Sequence, residues 1–122
     1  MAKSFQEIMA EARKEIPEVT AQQVNELLKN NGNSPVLLDV RESDEWRQGH
    51  LEGALPLPRG FLEIKVESAV PNKEAPIIAY CAGGVRSLLA AKVMKEMGYQ
   101  NVSSMAGGYA AWKNGGFKWV QD

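Results

Sequence analysis

The stretch APIIAYCAGGVRSLLAAKVMKEMG, residues 75–98, decides the fold. Residues 75–80 form an apolar run too short for a helix and without a polar face. This predicts a strand buried on both sides. Glycines at 83 and 84 break the run. Beyond them Leu88, Leu89, Ala91, Val93 and Met97 recur at helical spacing, with the helix expected to start near Arg86 or Ser87 and Gly98 as its stop. A two-sided apolar strand that turns into a helix belongs to a parallel sheet covered by helices.

The same grammar extends in both directions. Residues 35–40, PVLLDV, read as a second buried strand, GALPLP as a short extended piece, and YQNVSSMAG as a short strand with polar punctuation. Helices are predicted over ESDEWRQG, with Ser43 as cap, over GFLEIKVESAV and over GYAAWKNGG. Upstream, Thr20 caps a helix that turns Val24, Leu27 and Leu28 inward and ends at Asn30 to Asn33. Ser4 caps another, whose Phe5, Ile8, Met9, Ala12 and Ile16 form a stripe expected to pack on the domain. The expected fold class is α/β: a central, mostly parallel sheet of about five strands flanked by helices, with an extra N-terminal helix. Residues 1–17 are read as a helical extension and residues 18–122 as the domain proper, because the alternation begins after Pro17.

Composition narrows the function. The chain has 122 residues, 14 Lys+Arg against 15 Asp+Glu, and a formal net charge of −1. That balance offers no attraction for nucleic acid or an anionic membrane surface. No apolar run approaches the ~20 residues of a membrane span. The N-terminus carries acids throughout and lacks the apolar core of a signal peptide, so a cytoplasmic location is expected. With one cysteine and one histidine, an intramolecular disulfide, a Cys-x-x-Cys pair and a structural zinc site are all excluded. No cofactor or metal is expected.

The single cysteine, Cys81, stands where a parallel strand ends and the next helix begins, the usual place for ligands in such sheets. It could be an inert buried small residue or a thiolate that the loop is built to hold. Two adjacent glycines let the backbone curl so that successive N–H groups point to one spot. The following helix adds its free N–H groups, and Arg86 adds a full charge. These features coincide at one loop and favour the thiolate, with a pKa below the ordinary value of about 8.5. No Gly-Lys-Ser/Thr follows, so a nucleotide-binding P-loop is not supported. Four residues separate Cys81 from Arg86. Protein tyrosine phosphatases place five between theirs, and the shorter loop makes a cup better suited to one extra sulfur than to a phosphate.

Three separated motifs then carry a resemblance. Asp39, Arg41, Glu45, Gly49, His50, Leu51, Gly53, Ala54 and Pro56 come first, the Cys81 loop second, and Gly107, Gly108, Tyr109 and Trp112 last. Over roughly residues 18–120 the chain resembles the single-domain rhodaneses, the thiosulfate sulfurtransferases. The resemblance implies transfer of a sulfane sulfur in two steps. Cys81 would take sulfur from a small sulfur-containing anion such as thiosulfate, then pass it from a persulfide to cyanide or a thiol acceptor. The backbone of Ala82, Gly83, Gly84, Val85, Arg86 and Ser87 would hold the persulfide. Arg86 would attract the donor, and Ser87 would add a hydroxyl hydrogen bond. Asp39 and Arg41 are expected to support the site as a structural pair, and His50 to make a structural hydrogen bond rather than act as a base. Trp46, Tyr109 and Trp112 are expected in the core or pocket wall, and Arg59 in solvent. Arg86 is the loop's one basic residue, which predicts weak use of thiosulfate. The alternatives are a persulfide carrier serving protein partners and, further off, an arsenate reductase or phosphatase of the same fold.

Overall fold

A computed structural model describes residues 2–29, 32 and 34–122. In chain order the elements are α1 (Phe5–Glu15), β1 (Glu18–Val19), α2 (Ala21–Leu28), β2 (Val36–Asp39), α3 (Ser43–Arg47), β3 (Leu55–Pro56), α4 (Leu62–Ala69), β4 (Ile77–Tyr80), α5 (Val85–Glu96), β5 (Val102–Met105) and α6 (Gly108–Asn114). A 3-10 turn at Arg59–Phe61 leads into α4. The five strands form one parallel sheet in the order β1-β5-β4-β2-β3. The α/β architecture, the parallel sheet and the N-terminal helix are those expected from the sequence.

Two apolar layers explain why β2 and β4 have no polar face. Leu38 and Ile77 enter one layer with Met9, Ile16, Leu62, Val66, Leu88 and Met94. Their neighbours Leu37 and Ile78 enter the other with Val24, Leu51, Tyr80, Met105, Tyr109 and Trp112. Successive strand residues point to opposite sides, so each layer takes alternate residues. Met9, Ala12 and Ile16 of the N-terminal segment lie in the first layer.

Both predicted upstream caps are present. Ser4 Oγ accepts from the Glu7 N–H at 3.1 Å, and Thr20 Oγ1 accepts from the Gln23 N–H at 3.1 Å, each satisfying a helix-start donor that would otherwise lack a partner. The expected end of α2 falls on residues of which Asn30, Asn31 and Asn33 lie outside the described ones.

Several local expectations are corrected. Phe5 (58% exposed), Ile8 and Leu27 face outward, because each helix meets the domain along a narrower stripe than its apolar residues suggest. Ser43 is the first residue of α3, not its cap; the cap is Glu42, whose N–H donates to Glu45 Oε1 at 2.9 Å. Helix α5 begins at Val85 and buries Ser87, Leu88, Ala90, Ala91 and Met94. Leu89, Val93 and Met97 are only half-buried and pack against the first layer from its edge.

Candidate active site

Cys81 directly follows β4, the middle strand of the sheet. The chain curls at Gly84, whose φ of +99° is left-handed and caps α5. A side chain there would be strained and would press on the Gly107 nitrogen at 3.2 Å. The curl brings donors onto the sulfur. The Gly84 N–H reaches Cys81 Sγ at 3.1 Å and the Ser87 N–H at 3.4 Å. Ser87 Oγ lies 3.5 Å from the sulfur and 2.8 Å from Ser104 Oγ on β5. Ser87 and Ser104 are fully buried.

Proton counting orders this chain. A thiolate only accepts, and each hydroxyl has one hydrogen. With Cys81 ionised, Ser87 gives its hydrogen to the sulfur and Ser104 gives its hydrogen to Ser87. Burial is the largest influence on the thiol and favours the neutral form. The Ser87 hydroxyl and N–H, then the Gly84 and Gly83 N–H groups, together outweigh it, and the pKa falls below the ordinary cysteine value. The residue is 1% exposed and belongs to the first apolar layer. Gly83 in the loop is exposed, and nothing lies within 4 Å of where its Cβ would be.

The last motif fixes the loop from outside. Tyr109 N–H donates to Cys81 carbonyl oxygen at 2.8 Å, and Ala110 N–H to Ala82 carbonyl oxygen at 3.1 Å. These bonds bring the start of α6 against the loop. Gly108, at φ +58°, allows the approach, because a Cβ there would collide with the Cys81 and Ala82 carbonyls. A peptide plane with its carbonyl tied outward presents its N–H on the opposite side. The glycine pair at 107–108 thus bears on which way the loop amides point.

Arg86, expected to attract the donor, has a carboxylate partner in the structure. Its guanidinium is engaged end-on by Glu45 of α3, with Nη1 to Oε1 at 2.8 Å and Nη2 to Oε2 at 3.1 Å. This bidentate pair holds the Glu45 carboxyl below the usual carboxylate range, chiefly through the hydrogen bond from Arg86 and against burial. The charge at Cys81 is also felt by Arg86 and raises its pKa, after the contribution of Glu45.

Asp39 and Arg41 form a buried pair behind the site. Arg41 Nη2 donates to Asp39 Oδ2 at 2.8 Å and to the Gly49 carbonyl at 2.6 Å, while Arg41 N–H donates to Asp39 Oδ1 at 3.0 Å. The guanidinium lies 4.3 Å from the Tyr109 ring centre. The pair ties the end of β2 to the α3–β3 connection and to α6. His50 is stacked on Trp46 at 3.5 Å between ring centres, with Nδ1 2.8 Å from the Leu51 carbonyl and Nε2 3.1 Å from Asp122 Oδ1. Trp112 and Tyr109 are buried and Trp46 half-buried. Arg59 pairs with Glu63 at 3.0 Å on the surface. Among the described residues, no group of three or more His, Cys, Asp or Glu could hold a metal, and no helix is long and apolar enough to cross a membrane.

Two participants were not singled out from sequence as site residues. Ser104 looked like punctuation in a polar strand, and Glu45 was only one letter of a signature. The signal available for Ser104 was a serine within an otherwise buried strand. Glu45 lies 41 positions from Arg86, and only the fold joins them.

Thiosulfate sulfurtransferase GlpE of Coxiella burnetii is 36% identical over 78 residues, covering 64% of this chain and 71% of its own. Thiosulfate sulfurtransferase PspE of Escherichia coli is 33% identical over 70 residues, covering 57% and 67%. A solved structure from Rhodopseudomonas palustris, described as a protein of unknown function and possible tyrosine phosphatase, superposes with a TM-score of 0.85 at 30% identity. It covers 97% of this chain and 95% of its own, a span that takes in α1. The Rhodanese-like domain family matches residues 20–115, and the chain belongs to that family.

Proposed function

We propose that the protein is a sulfurtransferase that works through a persulfide on Cys81. The observation that carries this reading is the convergence of two N–H groups and one hydroxyl on the sulfur at 3.1–3.5 Å. Such donors stabilise a charge confined to one atom and its immediate extension. The names of the two curated relatives support the same chemistry.

In the first step the Cys81 thiolate attacks the outer sulfur of a sulfane donor. With thiosulfate, the S–S bond breaks and sulfite leaves with the electron pair. The new persulfide keeps one negative charge on its outer sulfur, beside the loop amides. In the second step a thiophile such as cyanide attacks that outer sulfur, thiocyanate leaves, and the Cys81 thiolate returns. The hydrogen bonds to Sγ lower the thiol pKa against burial, which shifts it toward the nucleophilic thiolate. Asp39 and Arg41 serve as a positioning pair for the surrounding loops.

The short loop, with four residues between Cys81 and Arg86, favours sulfur over phosphate, because a phosphate ester needs a wider cup. A protein thiol as acceptor fits the same steps. Intact-protein mass after thiosulfate treatment should rise by one sulfur atom, and cyanide should remove it. Cys81→Ser should retain the fold and gain nothing. No adduct on the wild-type protein from any sulfane donor would overturn the proposal. Hydrolysis of a phosphate ester that depends on Cys81 would replace it.

A further inference from the structure

The Arg86 guanidinium has a resident anion. Glu45 occupies Nη1 and Nη2 in a two-pronged pair at 2.8 and 3.1 Å. Both side chains are about one-third exposed, at 35% and 32%, so the pair sits at the surface rim rather than in the core. Arg86 lies one residue from Ser87, whose N–H touches the reactive sulfur, and it feels the charge at Cys81. An incoming anion drawn to Arg86 therefore meets a guanidinium whose forked face is already filled and whose charge is balanced. Asp44 and Lys113, of opposite sign, line the hollow beside Glu45. Arg41, the next cation felt by Glu45, is committed to Asp39 and the Gly49 carbonyl. Glu42 adds a further negative charge near Arg86.

We propose that Glu45 is a specificity-determining residue: as the standing counter-ion of Arg86, it disfavours reagents that bring a second negative charge to Cys81. An anionic donor must displace Glu45 or bind beside it, and both raise its KM. A donor whose leaving group carries no such charge meets no penalty. The cost falls on approach rather than on the sulfur itself, because Glu45 makes no hydrogen bond to the loop amides that hold Sγ. The donor-class consequence rests on the sulfurtransferase reading; the charge discrimination does not.

The test uses two alkylating reagents of nearly equal size, iodoacetate and iodoacetamide, on the full chain at low ionic strength. The readout is the ratio of their rates at Cys81, which cancels changes in thiol reactivity common to both. Glu45→Gln should raise the iodoacetate/iodoacetamide ratio by roughly fivefold, about what removing one unit charge near an approaching anion gives in a wet, high-dielectric site. The gain should shrink as salt is added. Glu45→Ala should give the same rise, which guards against a local effect of the amide. Arg86→Ala combined with Glu45→Gln should abolish it. An unchanged ratio in both Glu45 variants would overturn the proposal. In parallel, Glu45→Gln should lower the KM for thiosulfate. A raised alkylation ratio without any persulfide on the wild-type protein would remove the sulfurtransferase reading and leave the role of Glu45 standing.

Discussion

Removing the Ser87 hydroxyl should weaken the thiolate by an amount the structure lets one work out. Ser87 Oγ is 3.5 Å from Cys81 Sγ and is held there by Ser104 at 2.8 Å. Both serines are fully buried, so water cannot readily replace the lost donor. A hydrogen bond to a charged group contributes about 1.5–3 kcal/mol, and the long contact argues for the lower end. A loss of about 1.4 kcal/mol is a factor of ten in the ionisation equilibrium. Ser87→Ala should therefore reduce the thiolate fraction about tenfold at any pH well below its midpoint. Ser104→Ala keeps the direct bond but frees the Ser87 hydroxyl to turn away, so its effect should be smaller and of the same sign. The assay is the rate of iodoacetamide alkylation of Cys81 followed by intact mass across pH. In Ser87→Ala the curve should move toward the ordinary cysteine value while its high-pH plateau stays close to wild type. A midpoint unmoved in Ser87→Ala would show that the backbone N–H groups alone hold the charge, and the hydroxyl chain would lose its assigned role.

Three further outcomes follow from the same geometry. The folded pKa of Cys81 is lowered, so its ionisation adds stability that is fully present above the unfolded value of about 8.5 and is lost as pH falls through the folded value. The urea midpoint of wild type relative to Cys81→Ser should therefore rise with pH across that window, and a flat difference would contradict it. Asp39→Ala leaves Arg41 buried without its carboxylate and should cost about 3–5 kcal/mol in denaturant unfolding; a loss below about 1 kcal/mol would mean that the Gly49 carbonyl and Tyr109 suffice. Gly108→Ala places a Cβ against the carbonyls of Cys81 and Ala82. Thiosulfate-dependent mass gain should fall at least tenfold even in the fraction that remains folded, and wild-type labelling in a stable Gly108→Ala protein would uncouple α6 from the loop.

The central strands were legible because burial on both faces removes the period-two alternation, and Leu37/Leu38 and Ile77/Ile78 do part to opposite layers. The position of Cys81 was legible because a glycine pair after such a strand has few other uses. Helix faces were less so. An apolar residue does not report how wide a groove its helix lies in, and Phe5, Ile8 and Leu27 are apolar yet face outward. The long-range partners of the site were not legible at all. Ser104 meets Ser87 across 17 positions and Glu45 meets Arg86 across 41. Each of those residues is ordinary in its own segment, and its role depends on the strand order that places β5 and α3 on either side of the loop.

Strand β4 is paired with β2 on one side and β5 on the other, and the sulfur leaves from its end. Middle strands exchange their amide hydrogens last, because freeing them requires separating both neighbours. A sulfane sulfur is prone to reduction and to loss to stray thiols. Attached at the end of this strand, it would be sheltered by the segment of the molecule that opens least often, and its lifetime would follow the stability of the whole domain rather than that of a surface loop.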